Sequence, residues 1–230
     1  MRLVTLLLLL LSTYCPAQTL PPASAPDAAV VIRDTFPKRL EVGITGGYLR
    51  HGVDFTPNAN VETLGGNFYG VTLRYFDNPL VGFQAELSYV NAGWEEEIAD
   101  TLELYRRETQ YVELLILTQF SPGRGAVQPL LQAGPYLSAP IGDTDFVPAG
   151  YTPSREPVNE YYGRSLPFRL NYGVQAGVGL NLSIGPVTIQ LDGRYLLGFN
   201  DLIRTRESQA VTSRREGIGG HIALFYALRR

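Results

Sequence analysis

The chain has 230 residues, a formal net charge of −3, one cysteine (Cys15) and one methionine (Met1). So mild a negative charge argues against a nucleic-acid partner. Cys15 lies in a segment that we predict to be removed, so the mature chain would contain no disulfide, no cysteine-bound metal and no cysteine nucleophile.

The N-terminus has the features of a secretion signal. Arg2 precedes an apolar run, Leu3–Leu11, and Cys15-Pro16-Ala17 offers a cleavage site before Gln18. The run is shorter than the roughly 20 residues that a membrane-spanning helix needs. We therefore predict a signal peptide over residues 1–17. Residues 18–37 are rich in proline and alanine and have no period, which predicts a poorly ordered periplasmic leader.

From residue 38 onward, apolar and polar residues alternate in eight segments, as they do in β-strands. Pro135 lacks an N–H group for the sheet and suggests a bulge in the fifth segment. In chain order the segments are Leu40–Tyr48, Tyr69–Tyr75, Val81–Tyr89, Val112–Phe120, Val127–Ser138, Arg169–Leu182, Val187–Tyr195 and Ile218–Leu228.

The two faces of these segments predict which side meets lipid. The apolar faces are almost free of charge, and a Lys or Arg at the bilayer midplane would cost ~2–4 kcal/mol. A soluble barrel with the apolar face inside is the alternative. We predict an all-β fold over residues 38–230, an eight-stranded antiparallel up-and-down transmembrane β-barrel. Aromatic residues near the segment ends suit the two membrane interfaces: Tyr48, Tyr69, Tyr89, Trp94, Phe168, Tyr172 and Phe199 at one end, and Tyr75, Phe76, Phe83 and Phe120 at the other.

The connections alternate in length. Three are tight (residues 77–79, 121–126 and 183–186), and four are long and polar (residues 51–66, 93–107, 139–166 and 199–214). Outer-membrane barrels have short periplasmic turns and longer external loops. We therefore predict a location in the cell outer membrane, with both termini in the periplasm.

Three segments resemble strands of the PorT-like outer-membrane β-barrel family. Tyr111–Leu117 (YVELLIL) is similar to its YLEIPLLLK strand, Pro129–Tyr136 (PLLQAGPY) to its PYLxAGP strand, and Gly193–Leu202 (GRYLLGFNDL) to its RYxxGLxNI strand end. They occur in the family's order across most of the mature chain. The resemblance implies an eight-stranded outer-membrane barrel. One named member of the family is associated with protein secretion, but most members have no assigned role, so the resemblance implies none here.

The polar faces carry charges that would meet inside the barrel. Buried ions need partners, and we expect Glu113 to pair with Arg74, Arg169 or Arg194. Eight strands leave an interior just wide enough for side chains. This favours a plugged lumen over the alternative, a narrow ion or small-solute channel. The inward charges are Glu41, Arg74, Glu86, Glu113, Arg169, Asp192 and Arg194.

Candidate catalytic residues are few. His51 follows the first segment, Ser138 and Ser165 flank the third loop, and His221 points inward from the last segment. No G-x-S-x-G motif surrounds a serine. We predict that the chain is not an enzyme and has no catalytic residue, cofactor or metal. A lipid-modifying outer-membrane enzyme is a less favoured alternative.

The loops hold the remaining functional information. The acidic run Glu95-Glu96-Glu97 could bridge divalent cations to lipopolysaccharide, or could be a solvated face. Phe146, Tyr151, Tyr161 and Tyr162 suit recognition of a protein or glycan, or packing within their own loop. We predict a non-enzymatic barrel with a structural or surface-interaction role. Its expected partners are outer-membrane lipid and lipopolysaccharide, the barrel assembly machinery, and an extracellular protein or glycan at residues 93–107 and 139–166.

Overall fold

The computed structural model describes residues 38–56, 61–97, 104–123, 125–148, 162–163, 169–203 and 212–229. Each strand pairs antiparallel with its neighbours in sequence, and the last strand pairs with the first to close a barrel. The predicted fold class is therefore confirmed. The eight strands are β1 (Arg39–Thr56), β2 (Val61–Phe76), β3 (Val81–Glu97), β4 (Leu104–Phe120), β5 (Val127–Phe146), β6 (Asn171–Ile184), β7 (Val187–Asp201) and β8 (Thr212–Arg229).

The predicted signal peptide and leader, residues 1–37, lie outside the described residues. Among the residues that are described, no helix is long and apolar enough to cross a membrane.

One end of the barrel, which we call the turn end, has short connections and both chain termini of the barrel. Asn78 Oδ1 accepts hydrogen bonds from the backbone N of Leu80 (2.9 Å) and of Val81 (2.7 Å), which closes the β2–β3 turn. Gly185 in the β6–β7 turn has a φ of +60°, a conformation that glycine adopts without steric cost. The three connections at this end span residues 77–80, 121–126 and 185–186.

At the opposite end, the loop end, the strands are longer than the sequence predicts. β1 continues to Thr56 and β2 begins at Val61, so most of the predicted loop 51–66 is strand. The predicted loop 93–107 likewise lies mostly in β3 and β4. The β5–β6 connection is the longest, spanning residues 147–170.

Exposed apolar side chains form a continuous band around the barrel, which we call the belt. On β8 it runs from Ile218 (63% exposed) through Leu224 (46%) to Leu228 (58%). About ten residues of strand span ~33 Å, or ~25 Å along the axis of a barrel whose strands tilt by ~40°, which is the height of a membrane-embedded band. At the loop end the belt is bounded by the exposed residues Tyr48, Tyr69, Tyr172 and Tyr195.

Beyond the belt, toward the loop end, polar side chains lie on the outer face of the barrel and apolar side chains on the inner face, the reverse of the arrangement in the belt. On β1, Arg50 and Asp54 face outward and are exposed, whereas Val53 and Phe55 are buried inside. We call this part the projecting wall. It consists of Arg50–Thr56, Val61–Asn67, Asn91–Glu97, Leu104–Gln110, Pro140–Phe146 and Thr212–Gly217.

Three local predictions are wrong. Trp94 does not lie at a membrane interface but is buried inside the projecting wall, and Phe76 is buried inside the turn end. Both occupy positions of inward parity on their strands. The register continues unbroken past Pro135, which pairs with Val174, and the β4–β5 register instead shifts next to Ile141.

Candidate functional site

The interior holds the densest set of charged and polar side chains, and it begins at the turn end with a Glu41–Arg74 pair. Both side chains are fully buried, and Arg74 Nε donates to Glu41 Oε2 at 2.7 Å. Arg74 Nη1 also donates to Asn181 Oδ1 (2.9 Å) and Gln190 Oε1 (3.2 Å). The Phe225 ring covers the guanidinium, with Cζ 3.9 Å from the ring centroid. The arrangement fills this end of the lumen with paired groups.

A second ion-pair network lies deeper inside the belt. Arg194 binds Glu86 through two parallel contacts of 2.8 Å, and its Nε donates to Asp192 Oδ2 at 2.6 Å. One guanidinium thus links a carboxylate of β3 to a carboxylate of β7. Bidentate geometry of this kind is the strongest form of an arginine–carboxylate pair.

Glutamine side chains join the two networks. Gln190 Nε2 donates to Asp192 Oδ1 (2.7 Å), while Gln190 Oε1 accepts from Arg74. Gln132 Nε2 donates to Asp192 Oδ2 (2.8 Å), and its Oε1 accepts from Gln119 (3.0 Å). Because an amide both donates and accepts, it can extend a buried network without adding charge.

His221 forms a carboxylate–imidazole–hydroxyl arrangement of the kind that nucleophilic enzymes use. Its Nδ1 lies 2.7 Å from Asp192 Oδ1, and its Nε2 contacts Thr45 Oγ1. However, Nε2 also lies 2.9 Å from Arg194 Nη2, which can only donate. Nε2 lies 3.4 Å from Glu86 Oε1 as well, so the imidazole contacts the arginine and both carboxylates of the network. Thr45 is itself buried, so the contacts of His221 serve to hold the network together.

Glu113 pairs with a residue that the sequence analysis missed. Its Oε2 accepts from Arg215 Nη1 (3.1 Å) and from Ser138 Oγ (2.6 Å), and all three side chains are buried. The Tyr111 ring lies against Arg215, with Cζ 4.7 Å from the centroid. The predicted partners have other contacts: Arg74 binds Glu41, Arg194 binds Glu86, and Arg169 donates to the Asp201 carbonyl (3.4 Å).

Apolar clusters fill the interior around Glu113. One contains Leu49, Phe68, Val90, Ala92 and Tyr111, and another contains Leu115, Leu117, Tyr136 and Leu196. Between these clusters and the Glu86–Arg194 pair lies a cavity of about 10 Å³, close to the minimum that holds one water molecule. Within the described part of the chain, side chains thus occupy the lumen both in the belt and above it.

The projecting wall has a hydrophobic core of its own. Val53, Phe55, Trp94, Tyr105, Tyr162, Leu202 and Ile203 form it. Tyr162, from the long third connection, packs its ring 4.4 Å from that of Tyr105, and its hydroxyl donates to Glu96 Oε2 at 3.0 Å. Tyr162 therefore belongs to the core of the projecting wall.

Several predictions for the loop end are corrected by this core. Glu96 does not belong to a solvated acidic face, because it is buried and bonded to Tyr162. His51 is not in a loop: its side chain is buried on the inner face of β1, and neither ring nitrogen has a hydrogen-bond partner among the residues that the structure describes. Burial, and secondarily the charge of Arg215, hold the pKa of His51 well below its ordinary value.

The three candidate catalytic residues that the structure describes, His51, Ser138 and His221, do not form one site. Ser138 bonds to Glu113 and His221 to Asp192, in different layers of the interior. Ser165, Tyr151 and Tyr161 lie outside the described residues. A search of the described residues finds no group of three or more His, Cys, Asp or Glu that could hold a metal ion.

Arg215 could have been found by extending the alternation of the last segment. Gly219 and His221 face inward, so Gly217 and Arg215 share their parity. Arg215 lies three residues before Ile218, the predicted start of that segment. Beyond the belt the outward residues are polar rather than apolar. The segment that contains Arg215 therefore has the polar composition of a loop, and the strand was not predicted there.

The comparisons with known proteins agree with this architecture. The model of a family described as "outer membrane protein beta-barrel domain" matches residues 17–204. The chain belongs to this family. The predicted location in the outer membrane is thereby supported. None of the curated proteins matches the chain.

The chain is similar to solved outer-membrane proteins of low identity, of which OprG shares its fold. OprG from Pseudomonas aeruginosa is 12% identical, with a TM-score of 0.52, and the match covers 84% of this chain and 96% of OprG. Ail, the attachment invasion locus protein of Yersinia pestis, is 16% identical (TM-score 0.39, covering 82% and 99%). The outer membrane protease OmpT from Escherichia coli is 7% identical (TM-score 0.34, covering 85% and 98%).

Proposed function

We propose that the chain is a closed, non-enzymatic outer-membrane barrel that acts at the cell surface through its projecting wall. The observation that carries the proposal is the filled interior. Ion pairs, amides and the apolar cluster around Leu115 and Leu117 occupy the belt, and the apolar cluster around Phe68 and Tyr111 lies nearer the loop end. A lumen filled in this way stabilises the barrel and opposes the passage of solutes.

Conductance in planar bilayers tests the closed lumen. We expect the purified barrel to give no stepwise current at neutral pH, and Glu86→Ala, which breaks the bidentate pair, to be the variant most prone to conduct. Stepwise current from the unaltered protein would contradict the proposal and support the alternative of a narrow ion or small-solute channel.

The surface role is supported by exposed apolar side chains on the projecting wall. Leu104, Phe146 and Val147 are exposed beyond the belt, and Phe146 pairs with Arg106 of the neighbouring strand. They lie within the segments 93–107 and 139–166, which are the proposed contacts for an extracellular protein or glycan. Lipopolysaccharide around the belt and the barrel assembly machinery during insertion are the other proposed partners.

The proposed orientation places both termini in the periplasm and the projecting wall outside the cell. The short connections at the turn end support it, because outer-membrane barrels have short periplasmic turns. Single cysteines at Asp77 and Glu62 test it in a Cys15→Ser background. We expect a membrane-impermeant thiol reagent to label the Glu62 position on intact cells and the Asp77 position only after lysis. The reverse pattern would invert the orientation.

The PorT-like resemblance is the finer family assignment that we propose. Its three segments supply inward side chains: Tyr111 and Glu113 on β4, Gln132 on β5, and Arg194 on β7. The resembling residues therefore build the interior. This supports a shared way of filling the lumen, not a shared partner.

The absence of enzymatic activity is tested on lipids. The Asp192–His221–Thr45 arrangement is the feature that could support the alternative of a lipid-modifying enzyme. We expect mass spectra of outer-membrane lipids to be identical with and without expression of the chain. A mass change that His221→Ala abolishes in a folded barrel would overturn this part of the proposal.

A further inference from the structure

The projecting wall is an open sheet, because β6 and β7 stop near the belt while their neighbours continue. β5 pairs with β6 only as far as Ser138, opposite Asn171, whereas its pairing with β4 runs on to Phe146. β8 likewise pairs with β1 as far as Thr212. The projecting wall therefore has two edges, one on β5 and one on β8.

The edge on β8 is covered by the chain that follows β7. The backbone N of Leu202 donates to the Ser213 carbonyl at 2.8 Å, and the backbone N of Ser213 donates to Asp201 Oδ1 at 2.9 Å. The backbone N of Ile203 donates to the Ser213 hydroxyl at 2.9 Å. Backbone groups of β8 are thus bonded on the side that regular pairing with β7 leaves open.

The edge on β5 has no such cover in the part of the chain that the structure describes. The segment that leads into β6 bonds to β7 instead: Asn200 Nδ2 donates to the Leu170 carbonyl, and the backbone N of Tyr172 donates to Asn200 Oδ1, both at 3.0 Å. No described strand pairs with β5 on this side beyond Ser138. We call the stretch Ala139–Phe146 the β5 edge. A strand in this position presents a row of backbone N–H and C=O groups that another strand can bind.

Most of the β5 edge is regular. Proteins prevent unwanted pairing at an edge with proline, lysine or a bulge. Pro140 and the register shift next to Ile141 lie at the base of the edge, close to the belt. From Gly142 to Phe146 each residue pairs with β4 in unbroken register, and this stretch contains no lysine or proline. Its length is ~16 Å, which gives room for a short strand.

The charges beside the β5 edge distinguish between possible partner strands. Asp143 and Asp145 share one cation, since Arg107 Nη2 lies 3.2 Å from Asp143 Oδ2 and 3.7 Å from Asp145 Oδ2. Two carboxylates around one guanidinium give the inner side of the edge a net negative charge. The same edge of a second copy would bring four carboxylates together, and like charges on paired strands are destabilising. A strand that carries cations on its inner side would be attracted.

The outer side of the β5 edge is different, because Thr144 and Phe146 face outward and are exposed. Phe146 in particular is 53% exposed. Successive side chains of a strand point to opposite faces of a sheet. A strand added here would therefore place every second side chain beside Phe146 and the others beside Asp145.

We propose that the β5 edge binds an extended peptide segment of an extracellular protein, in which apolar and basic residues alternate, as an added strand. The backbone hydrogen bonds supply affinity, and the alternating side chains supply specificity. The apolar residues would contact the outer side of the edge, and the basic residues the inner side. This inference rests on the proposed function, because it specifies the chemistry of a partner at residues 139–166.

Fluorescence anisotropy of labelled octapeptides tests the proposal, with the barrel refolded in detergent without lipopolysaccharide. The probes are a peptide of alternating valine and arginine, the same peptide with all its amides N-methylated, and a peptide of alternating valine and glutamate. We expect the first to bind, and each of the others to bind about tenfold more weakly, equivalent to ~1.4 kcal/mol. Amide hydrogen exchange of residues 139–146 should slow when the first peptide binds, and that of Thr212–Arg215 should not.

Asp145→Asn removes one charge from the inner side of the β5 edge and should weaken binding of the valine–arginine peptide by about fivefold, equivalent to ~1 kcal/mol. Asp54→Asn, on the outer face of β1, is the matched control and should bind this peptide as the unaltered protein does. The mobility of unheated samples in gels verifies that each variant is folded.

Equal binding of the N-methylated peptide would overturn the proposal, since it would show attraction by charge without strand pairing. Equal losses in Asp145→Asn and Asp54→Asn, or no binding of any peptide, would overturn it as well. Peptide binding to the purified barrel depends neither on orientation in the membrane nor on conductance. An inverted thiol-labelling pattern would therefore refute the proposed surface role without refuting the β5 edge as a peptide site.

Discussion

The belt is built by all eight strands and the projecting wall by six of them, β1 to β5 and β8, but the two regions place apolar and charged side chains on opposite faces. In the belt, Ile218 and Leu224 face out, while Arg194 and Glu86 pair inside. In the projecting wall, Arg50 and Asp54 face out, while Phe55 and Trp94 pack inside. The pairing of β1 with β8 and of β3 with β4 continues across the boundary without a shift of register, so on these strands the exchange follows the change of outer solvent. Lipid accepts an apolar outer face, and water accepts a charged one.

The comparison predicts that an ion pair inside the belt contributes more to the free energy of unfolding than an exposed ion pair of the projecting wall. Arg194→Ala would leave Glu86 and Asp192 buried without their cation, and we expect the free energy of unfolding to fall by ~3–5 kcal/mol. Arg106→Ala breaks an exposed pair in the projecting wall and should cost less than ~1 kcal/mol. Urea unfolding in lipid vesicles, followed by gel mobility and Trp94 fluorescence, measures both. Similar small losses would mean that water reaches the belt interior and screens its charges.

A second prediction concerns the outer faces. Val178 is 63% exposed near the middle of the outward face of β6, so Val178→Arg should place a cation in hydrocarbon at a cost of ~2–4 kcal/mol. Asp54→Arg places the same side chain on the outer face of the projecting wall, where water solvates it. The yield of folded barrel after insertion into vesicles should drop only for Val178→Arg. Equal tolerance of the two variants would place the belt in water and contradict the boundary drawn at Tyr48.

The architecture of the belt could be predicted from the sequence because one rule governs it. Residues of one parity are apolar and face out, as Leu170 to Leu182 on β6 show, and the strand count and the turns follow from the breaks in that alternation. Parity identifies seven inward charges. Arg169, which precedes β6, is only half-buried, and the other six are buried: Glu41, Arg74, Glu86, Glu113, Asp192 and Arg194.

The projecting wall was missed for the same reason. In β1 the apolar positions change from Val42, Ile44 and Tyr48 to Leu49, Val53 and Phe55, so the alternation changes phase. If the outer face of a strand is assumed to meet lipid along its whole length, the point where its apolar residues move to the inner face is mistaken for the end of the strand. Apolar and polar residues alternate between residues 51 and 56 as regularly as they do in the belt. A prediction that allowed the outer face to meet lipid first and water afterwards would have extended β1 through these residues.

The pairing of the inward charges could not be predicted from parity. Glu86 and Arg194 are 108 positions apart, and Glu113 and Arg215 are 102 apart. Which charges meet depends on the stagger between strands, because stagger sets the height of each residue along the axis. The stagger depends on register, including local shifts such as the one next to Ile141. Alternation identifies the members of the network, but only the register determines the partners.

The smallest expected effect concerns His51, which lies inside the projecting wall beyond the belt. Burial, and then the charge of Arg215, depress its pKa in the folded barrel. Below an unfolded-state pKa of about 6.5, the unfolded chain binds a proton at His51 that the folded barrel does not, so stability falls as the pH falls. The expected loss is ~1.4 kcal/mol between pH 7.5 and pH 5.5. Urea unfolding at the two pH values should show this loss in the unaltered barrel and a smaller one in His51→Gln, which cannot be protonated. An undiminished pH dependence in His51→Gln would assign the titration to a group other than His51, and would show that water reaches the imidazole through the projecting wall.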